Sequence, residues 1–226
     1  MRRTIARELM DEPADDLGEL EANLRDIAFA NARLGGTAPV VRAVRRLRAT
    51  CVLDVGSGAG DVPRALVRDG ARRGVSLHVT CLDSSAQMLA IARRASGDDS
   101  FAYVQADGAA LPFADGAFDV VTCTLALHHF EPDAARAMLR ELRRVARLSP
   151  LVCDVRRSRV AFALTWLWSR TSRNRFTRHD APLSVRRAYT PDEALALARD
   201  AGWRGARVRR EPFFRMTLTD EPAGAS

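Results

Sequence analysis

The chain of 226 residues contains no lysine; all 35 of its basic Lys-or-Arg positions are arginine. It has four cysteines, at 51, 81, 123 and 153, and no two of them stand in a CxxC spacing. That argues against a zinc site and against a disulfide-stapled small domain. Each cysteine lies in or beside a short apolar run, so reduced, buried thiols are expected. Long apolar runs are lacking too. The longest, Val160-Ala161-Phe162-Ala163-Leu164-Thr165-Trp166-Leu167-Trp168, has nine residues, and a helix needs about 20 to span a bilayer. The segment Met1-Arg2-Arg3-Thr4-Ile5-Ala6-Arg7-Glu8 carries charge where a signal peptide is apolar. The expectation is a soluble, cytoplasmic protein. No repeat or low-complexity stretch is visible. With 47% hydrophobic and 28% charged residues, the composition is that of a globular chain with ample core.

What is there in excess is positive charge, and it is not evenly placed. The formal net charge is +7. Residues 1–150 hold 20 Arg and 20 acids, while residues 151–226 hold 15 Arg and 8 acids. Within 156–187 there are nine Arg against one acid, Asp180. The excess therefore belongs to one region, next to the apolar run.

Periodicity predicts alternating elements. Leu17, Leu20, Leu24, Ile27 and Ala28 follow helical spacing over 15–34, with Asp15 or Asp16 as cap and Gly35-Gly36 as stop. A second helix is expected over about 38–48. Strands are expected at 51–55, 77–82, 101–106, 118–123 and 151–154, alternating with helices at about 61–73, 85–95 and 133–147. A helix over 191–201 and strands over about 203–209 and 213–218 follow. Such alternation implies α/β architecture with a parallel sheet, helices on both faces and ligands beyond the carboxyl ends of the strands.

The strongest motif is Val52-Leu53-Asp54-Val55-Gly56-Ser57-Gly58-Ala59-Gly60-Asp61. A strand runs into glycines at GxGxG spacing and then into a helix. Glycine permits a tight turn and close approach of a ligand to backbone. Asp83 ends the second strand, where a carboxylate suits two ribose hydroxyls, and Asp107 ends the third, within reach of an adenine amino group. The dinucleotide fingerprint GxGxxG is not met, because Asp61 stands at the third glycine's place.

These residues, with Leu82-Asp83-Ser84-Ser85-Ala86-Gln87-Met88-Leu89, Ala106-Asp107-Gly108-Ala109-Ala110-Leu111-Pro112-Phe113, and Phe118-Asp119-Val120-Val121 followed by Leu125-Ala126-Leu127-His128-His129-Phe130, resemble class I S-adenosylmethionine-dependent methyltransferases. The likeness is to the small-molecule branch that includes ubiquinone/menaquinone-biosynthesis enzymes. It implies a Rossmann-like, doubly wound, seven-stranded sheet with an antiparallel last strand. It implies an N-terminal helical lid (1–50) and a methyltransferase domain (51–219); the chain's own pattern adds a cap-like insert at about 156–190 and a frayed tail (220–226). It also implies S-adenosylmethionine as cofactor and S-adenosylhomocysteine as product. Asp54, Gly56, Ser57, Gly58 and Gly60 would then hold its methionine end, Asp83 and Ser84 the ribose, and Met88, Asp107 and Gly108 the adenine. Cys123 and Thr124 would lie near the methionine end.

The donor's electrophilic methyl needs no metal, only an aligned nucleophile and exclusion of water. Imidazole titrates near pH 7 and suits proton removal, so His128 and His129, just beyond the fourth strand, are the first candidate bases. His179, beside Asp180, is the second. Asn31, Arg33 and Trp166 are expected at the acceptor pocket. The expected partner is a hydrophobic acceptor, a phenol, quinol or polyketide-like molecule, methylated at oxygen in the first reading with carbon and nitrogen left open, and with peripheral membrane contact through 160–168. The protein would be a monomer or homodimer. An RNA methyltransferase using the arginines and a non-catalytic cofactor-binding subunit are the alternatives; nucleic acid is not expected, since the first 150 residues are neutral.

Overall fold

The computed structural model describes residues 1–12, 14–97 and 101–221. Two helices come first, α1 (Leu17–Arg33) and α2 (Thr37–Arg46). Asp16 caps α1 by accepting the Glu19 amide at 3.1 Å. Then follow β1 (Cys51–Val55), α3 (Asp61–Arg72), β2 (His78–Asp83), α4 (Ala86–Ser96), β3 (Phe101–Gln105), β4 (Phe118–Thr124), α5 (Pro132–Val145) and β5 (Ala146–Val155). The chain closes with α6 (Arg159–Ser169), α7 (Arg175–Arg187), α8 (Pro191–Asp200), β6 (Ala206–Glu211) and β7 (Arg215–Asp220).

All seven strands form one sheet in the order β3-β2-β1-β4-β5-β7-β6. The first five are parallel, and β7 runs antiparallel to both β5 and β6. This is the expected seven-stranded, doubly wound architecture with an antiparallel last strand. β6 and β7 each lie two to three residues later than their sequence pattern suggests, because the turn at Pro212-Phe213-Phe214 takes residues that read as strand.

Alternation along β1 and β4 feeds two cores. Leu53, Val55, Val121 and Cys123 pack with α5 and α8, around Met138, Leu139, Leu142 and Trp203. Val52 and Val120 pack on the opposite face with Val40 and Val44 of α2 and Val62 and Leu66 of α3. Two helix-covered faces explain why β1 and β4 are apolar almost throughout. The buried Trp203 indole is satisfied by donating to the Leu139 carbonyl at 2.8 Å.

Two expected boundaries change. The lid is not all of 1–50: α2 belongs to the layer against the sheet, while α1 and the segment before it, which includes a short 3-10 helix at Leu9–Asp11, reach over the strand ends. The tail does not begin at Asp220. That residue ends β7, is buried, accepts the Gly205 amide and pairs with Arg143 at 2.7 Å. Of the tail expected to fray, 222–226 lie outside the described residues. The insert forms the helices α6 and α7, which pack on each other, and α7 continues through Pro182 in its interior.

Candidate active site

The parallel strands β1, β4 and β5 end together at Val55, Thr124 and Val155. Beyond these ends lies a cavity of about 230 Å³. Its floor is the glycine turn, Gly56 to Ala59, with Thr124 and Leu125. Its roof is α1, through Asn23, Ile27 and Asn31. One wall is the insert, through Thr165, Trp168, Thr177, Asp180 and Ser184. The other is the 128–129 turn with Glu8.

The glycine turn is shaped by backbone demands. Gly56 has φ +69°, and a Cβ there would lie 2.8 Å from the Ala126 Cβ. Gly58 has φ +51° with open space where its Cβ would be, so the turn offers bare backbone to a ligand. The Gly58 amide donates to Asp83 Oδ2 at 2.9 Å, and Ser85 N donates to Oδ1 at 2.9 Å. Asp83 thus ties β2 to the turn. Asp54, one strand residue below, accepts from Thr122 Oγ1 at 2.6 Å. Burial, with the nearby carboxylates of Asp61 and Asp83, pushes Asp54 up to about 7 despite that bond. Burial also raises Asp83, against the backbone amides it accepts. Three carboxylates are therefore crowded under one turn, an environment that favours a cationic ligand.

Several polar atoms of the cavity lining lack partners. Asn23 Oδ1, Asn31 Oδ1, Thr124 Oγ1 and Arg215 Nη1 are buried without a hydrogen bond. Orphans of this kind are uncommon in folded proteins and are explained by a ligand that supplies the partner. Asn31 is held in place by donating from Nδ2 to Asp61 Oδ2 at 2.9 Å.

A second group faces the cavity from the 128–129 turn. His128 is buried, and its Nδ1 lies 2.8 Å from Asp154 Oδ1, while its backbone amide donates to Asp154 Oδ2 at 3.0 Å. Burial acts to raise Asp154, but the charge and hydrogen bonds of His128 outweigh it and hold the carboxyl below its ordinary range. An ionised Asp154 accepts from Nδ1–H, which leaves the His128 Nε2 lone pair free. That Nε2 is 3.6 Å from Glu8 Oε1, and the His129 Nε2 is 3.8 Å from Glu8 Oε2. Desolvation raises Glu8 to about 7, opposed by His129, Arg187 and the hydroxyl of Ser184, which donates to it at 3.0 Å. His129 Nδ1 in turn meets Asp11 Oδ1 at 2.6 Å. Burial acts to raise Asp11 as well, yet His129 and Arg187 draw it well below the usual range. Glu8, His128 and His129 also offer ligand atoms within 4.8 Å of one another, a spacing that could hold a metal ion; among the described residues it is the one such group.

The structure gathers some expected residues and leaves others apart. Gly56, Ser57, Gly58, Thr124, Asn31, His128 and His129 line the cavity. Asp54 and Asp83 lie beneath it. Gly60, Ser84 and Met88 flank it; Met88 packs with Leu20 and Leu24 of α1. Asp107 is exposed at the end of β3 and caps its own turn through the Ala109 amide, and Gly108 packs against Val55. Cys123 points into the α5 core, away from the cavity.

Three expected positions are corrected. Trp166 faces solvent with the Arg170 guanidinium over its ring, and Trp168 lines the cavity instead. Helical phase decides this, since the two positions differ by 200° around α6. Arg33 lies over the Phe29 ring and not on the cavity. His179 is half exposed and leans on Asp180, whereas Asp180 is buried and accepts the amides of Leu9 and Met10 at 2.8 and 3.1 Å. Asp180, with Arg187, therefore fixes the N-terminal segment that delivers Glu8.

Sequence reasoning did not single out Glu8, Asp154, Leu125 or Phe213. Leu125 and Phe213 both have positive φ, 55° each, and both line the cavity. Neither is a residue type that advertises such a backbone, so no local signal marked them. Asp154 had a signal, as an acid ending the fifth strand.

Residues 52–148 match the family model described as "Methyltransferase domain". A demethylmenaquinone methyltransferase of Thermotoga maritima is 38% identical over 106 residues, 47% of this chain and 43% of that protein. A malonyl-[acyl-carrier protein] O-methyltransferase of Enterobacter lignolyticus is 43% identical over 94 residues, 41% of this chain and 34% of that protein. The matched stretch thus spans less than half the length of these curated relatives. Among solved structures, magnesium protoporphyrin IX methyltransferase of Synechocystis PCC 6803 with bound S-adenosylhomocysteine superposes with a TM-score of 0.57 at 18% identity, covering 81% of this chain and 80% of that one. The resemblance to class I S-adenosylmethionine-dependent methyltransferases stands, and the fold is theirs.

Proposed function

We propose, from the premise that residues 52–148 are a methyltransferase domain, that this chain transfers a methyl group from S-adenosylmethionine to an oxygen of a hydrophobic small molecule. The observation that carries the reading is one cavity joining the glycine turn to His128 and Glu8 beneath α1. When bound, S-adenosylmethionine supplies an electrophilic methyl. Its fit is supported by the bare backbone at Gly58, the carboxylates Asp54, Asp61 and Asp83, and the unpartnered oxygens of Asn31 and Thr124. In this reading Asp83, at the end of β2, accepts from the ribose hydroxyls.

An acceptor hydroxyl must give up its proton as its oxygen takes the methyl, the sulfonium–methyl bond breaking to leave the neutral thioether of S-adenosylhomocysteine. In this reading His128 Nε2 takes that proton, with Asp154 fixing the tautomer and stabilising the imidazolium. Glu8, whose carboxyl titrates near neutrality, receives it next, and His129 passes it towards Asp11 and the surface. The roof of α1 and the insert exclude water from the reacting atoms. Leu24, Ile27, Trp168 and Phe213 make the lining largely apolar, which suits a lipophilic phenol or quinol.

The test is turnover of a panel of lipophilic phenols, with calorimetric titration of S-adenosylmethionine. Binding with a single site and methylated phenol as product are expected. No heat on titration would sink the cofactor reading. Heat without phenol turnover would sink the acceptor class alone.

A further inference from the structure

The outer face of α6 is apolar and uncovered. Val160, Leu164 and Leu167 are 57%, 54% and 63% exposed, and their i, i+4, i+7 spacing sets them in one stripe. Trp166 and Trp168 flank the stripe on opposite sides of the helix, both exposed. Only Ala161 and Ser169 of this helix are buried. Scattered exposed apolar residues need no explanation, but a contiguous face of Leu and Trp does.

The exposed charge that the insert itself brings to this face has one sign. Arg159 and Arg170 bracket the helix, and Arg173, Arg175 and Arg178 follow, all exposed. The only acid of 156–187, Asp180, is buried. Among the described residues Arg159, Arg170, Arg173 and Arg178 make no ion pair; Arg175 pairs with Glu19.

The face is also continuous with the cavity mouth. Trp168, Leu34 and Phe213 each line the cavity while remaining substantially exposed. Phe213 is put there by the turn between β6 and β7, in which Phe213 and Phe214 both adopt positive φ. Two large apolar residues held in an unfavourable backbone region argue for a purpose at that position.

We propose that α6 and the apolar cavity mouth dock on an anionic lipid bilayer, with the leucines and tryptophans in the headgroup–acyl boundary and the arginines on anionic headgroups. An amphipathic helix with aromatic and aliphatic residues on one face and arginines at its margins has the chemistry of an interfacial helix, and basic residues near such a surface are attracted to anionic lipid. The mouth then opens towards lipid, and a lipophilic acceptor reaches the cavity without crossing water. That last consequence rests on the proposed methyl transfer; the docking itself does not.

The experiment uses the full chain with vesicles of phosphatidylcholine alone and of phosphatidylcholine mixed with phosphatidylglycerol. Sedimentation and tryptophan emission are the readouts, with neither cofactor nor acceptor added. The expected result is co-sedimentation with the phosphatidylglycerol vesicles and a blue shift of emission from Trp166 and Trp168, Trp203 being buried already. Added salt should weaken the binding. The double variant Leu164→Glu, Leu167→Glu should lose it while unfolding at the same temperature, and the double variant Arg170→Ala, Arg173→Ala should weaken it. A wild-type chain that stays in the supernatant with anionic vesicles overturns the proposal. So does unchanged binding by the Glu variant, or a concentration-dependent dimer that the Glu variant abolishes with no vesicle binding by wild type. Failure here leaves methyl transfer intact, and failure of methyl transfer leaves vesicle binding intact.

Discussion

Asp54 offers the sharpest test of the site's electrostatics. Its carboxyl is buried on the α3 side of β1, holds one hydrogen bond from Thr122 at 2.6 Å, and lies near Asp61 and Asp83. Burial raises it from 3.8 to about 7. A folded pKa above the unfolded one means the folded state holds the proton more tightly. Stability is then greatest below the unfolded value and falls as pH rises between about 4 and 7. At pH 8 the cost of the ionised group is on the order of 4 kcal/mol, from roughly three pKa units at 1.36 kcal/mol each. Asn has the same shape, can still accept from Thr122 and never ionises. Asp54→Asn should therefore stabilise the free protein by about 4 kcal/mol at pH 8 and about 2 kcal/mol at pH 5. Denaturant unfolding at a series of pH values measures both. The same variant should bind S-adenosylmethionine more weakly, because the wild-type carboxylate offsets the ligand's positive charge. A variant no more stable than wild type at pH 8, with a difference that does not change with pH, would refute the electrostatic reasoning.

Three further outcomes follow from the site. Asp154→Asn removes the acceptor that fixes the His128 tautomer, so kcat should fall about 100-fold or more, with little change in S-adenosylmethionine affinity by calorimetry. The wild-type rate should rise with pH through about 7 as Glu8 ionises, and Glu8→Gln should flatten that rise; the variant should also gain stability over wild type as pH rises from about 4.5 to 7, and a pH–rate profile identical to wild type would count against Glu8 as proton carrier. Chelation of divalent metal should leave the rate unchanged if Glu8, His128 and His129 carry protons, whereas loss of activity restored by added metal would assign the trio to an ion.

The sheet order, the parallel strands and the glycine turn were legible because each rests on local chemistry. Continuous apolar runs mark strands buried on two faces, and the positive φ at Gly56, Gly58 and Gly60 needs glycine. Asp54 and Asp83 were legible for the same reason, as acids at fixed offsets from those strands. The proposed proton path was only half legible. His128 follows β4 directly, but Glu8 only caps a three-residue 3-10 helix, carried to the site by Asp180 and Arg187 more than 170 residues away in the chain. Choosing between His128 and His129, or between Trp166 and Trp168, needs the rotation of a turn or helix about its axis, and neighbouring residues share the same composition signal.

The sequence by itself determined the α/β class, the place of the glycine turn and the concentration of arginine beside the 160–168 run. Each is a property of residues close in the chain, where steric and hydrophobic preferences act without help. Only the tertiary structure decided that α2 belongs to the sheet layer and α1 to the roof. It alone decided that Asp154 and Glu8 share His128, and that the lysine-free positive charge rims an uncovered apolar helix. Those outcomes depend on which surfaces meet when distant segments close, and burial, which shifts Glu8 and Asp54 to about 7, exists only once they have done so.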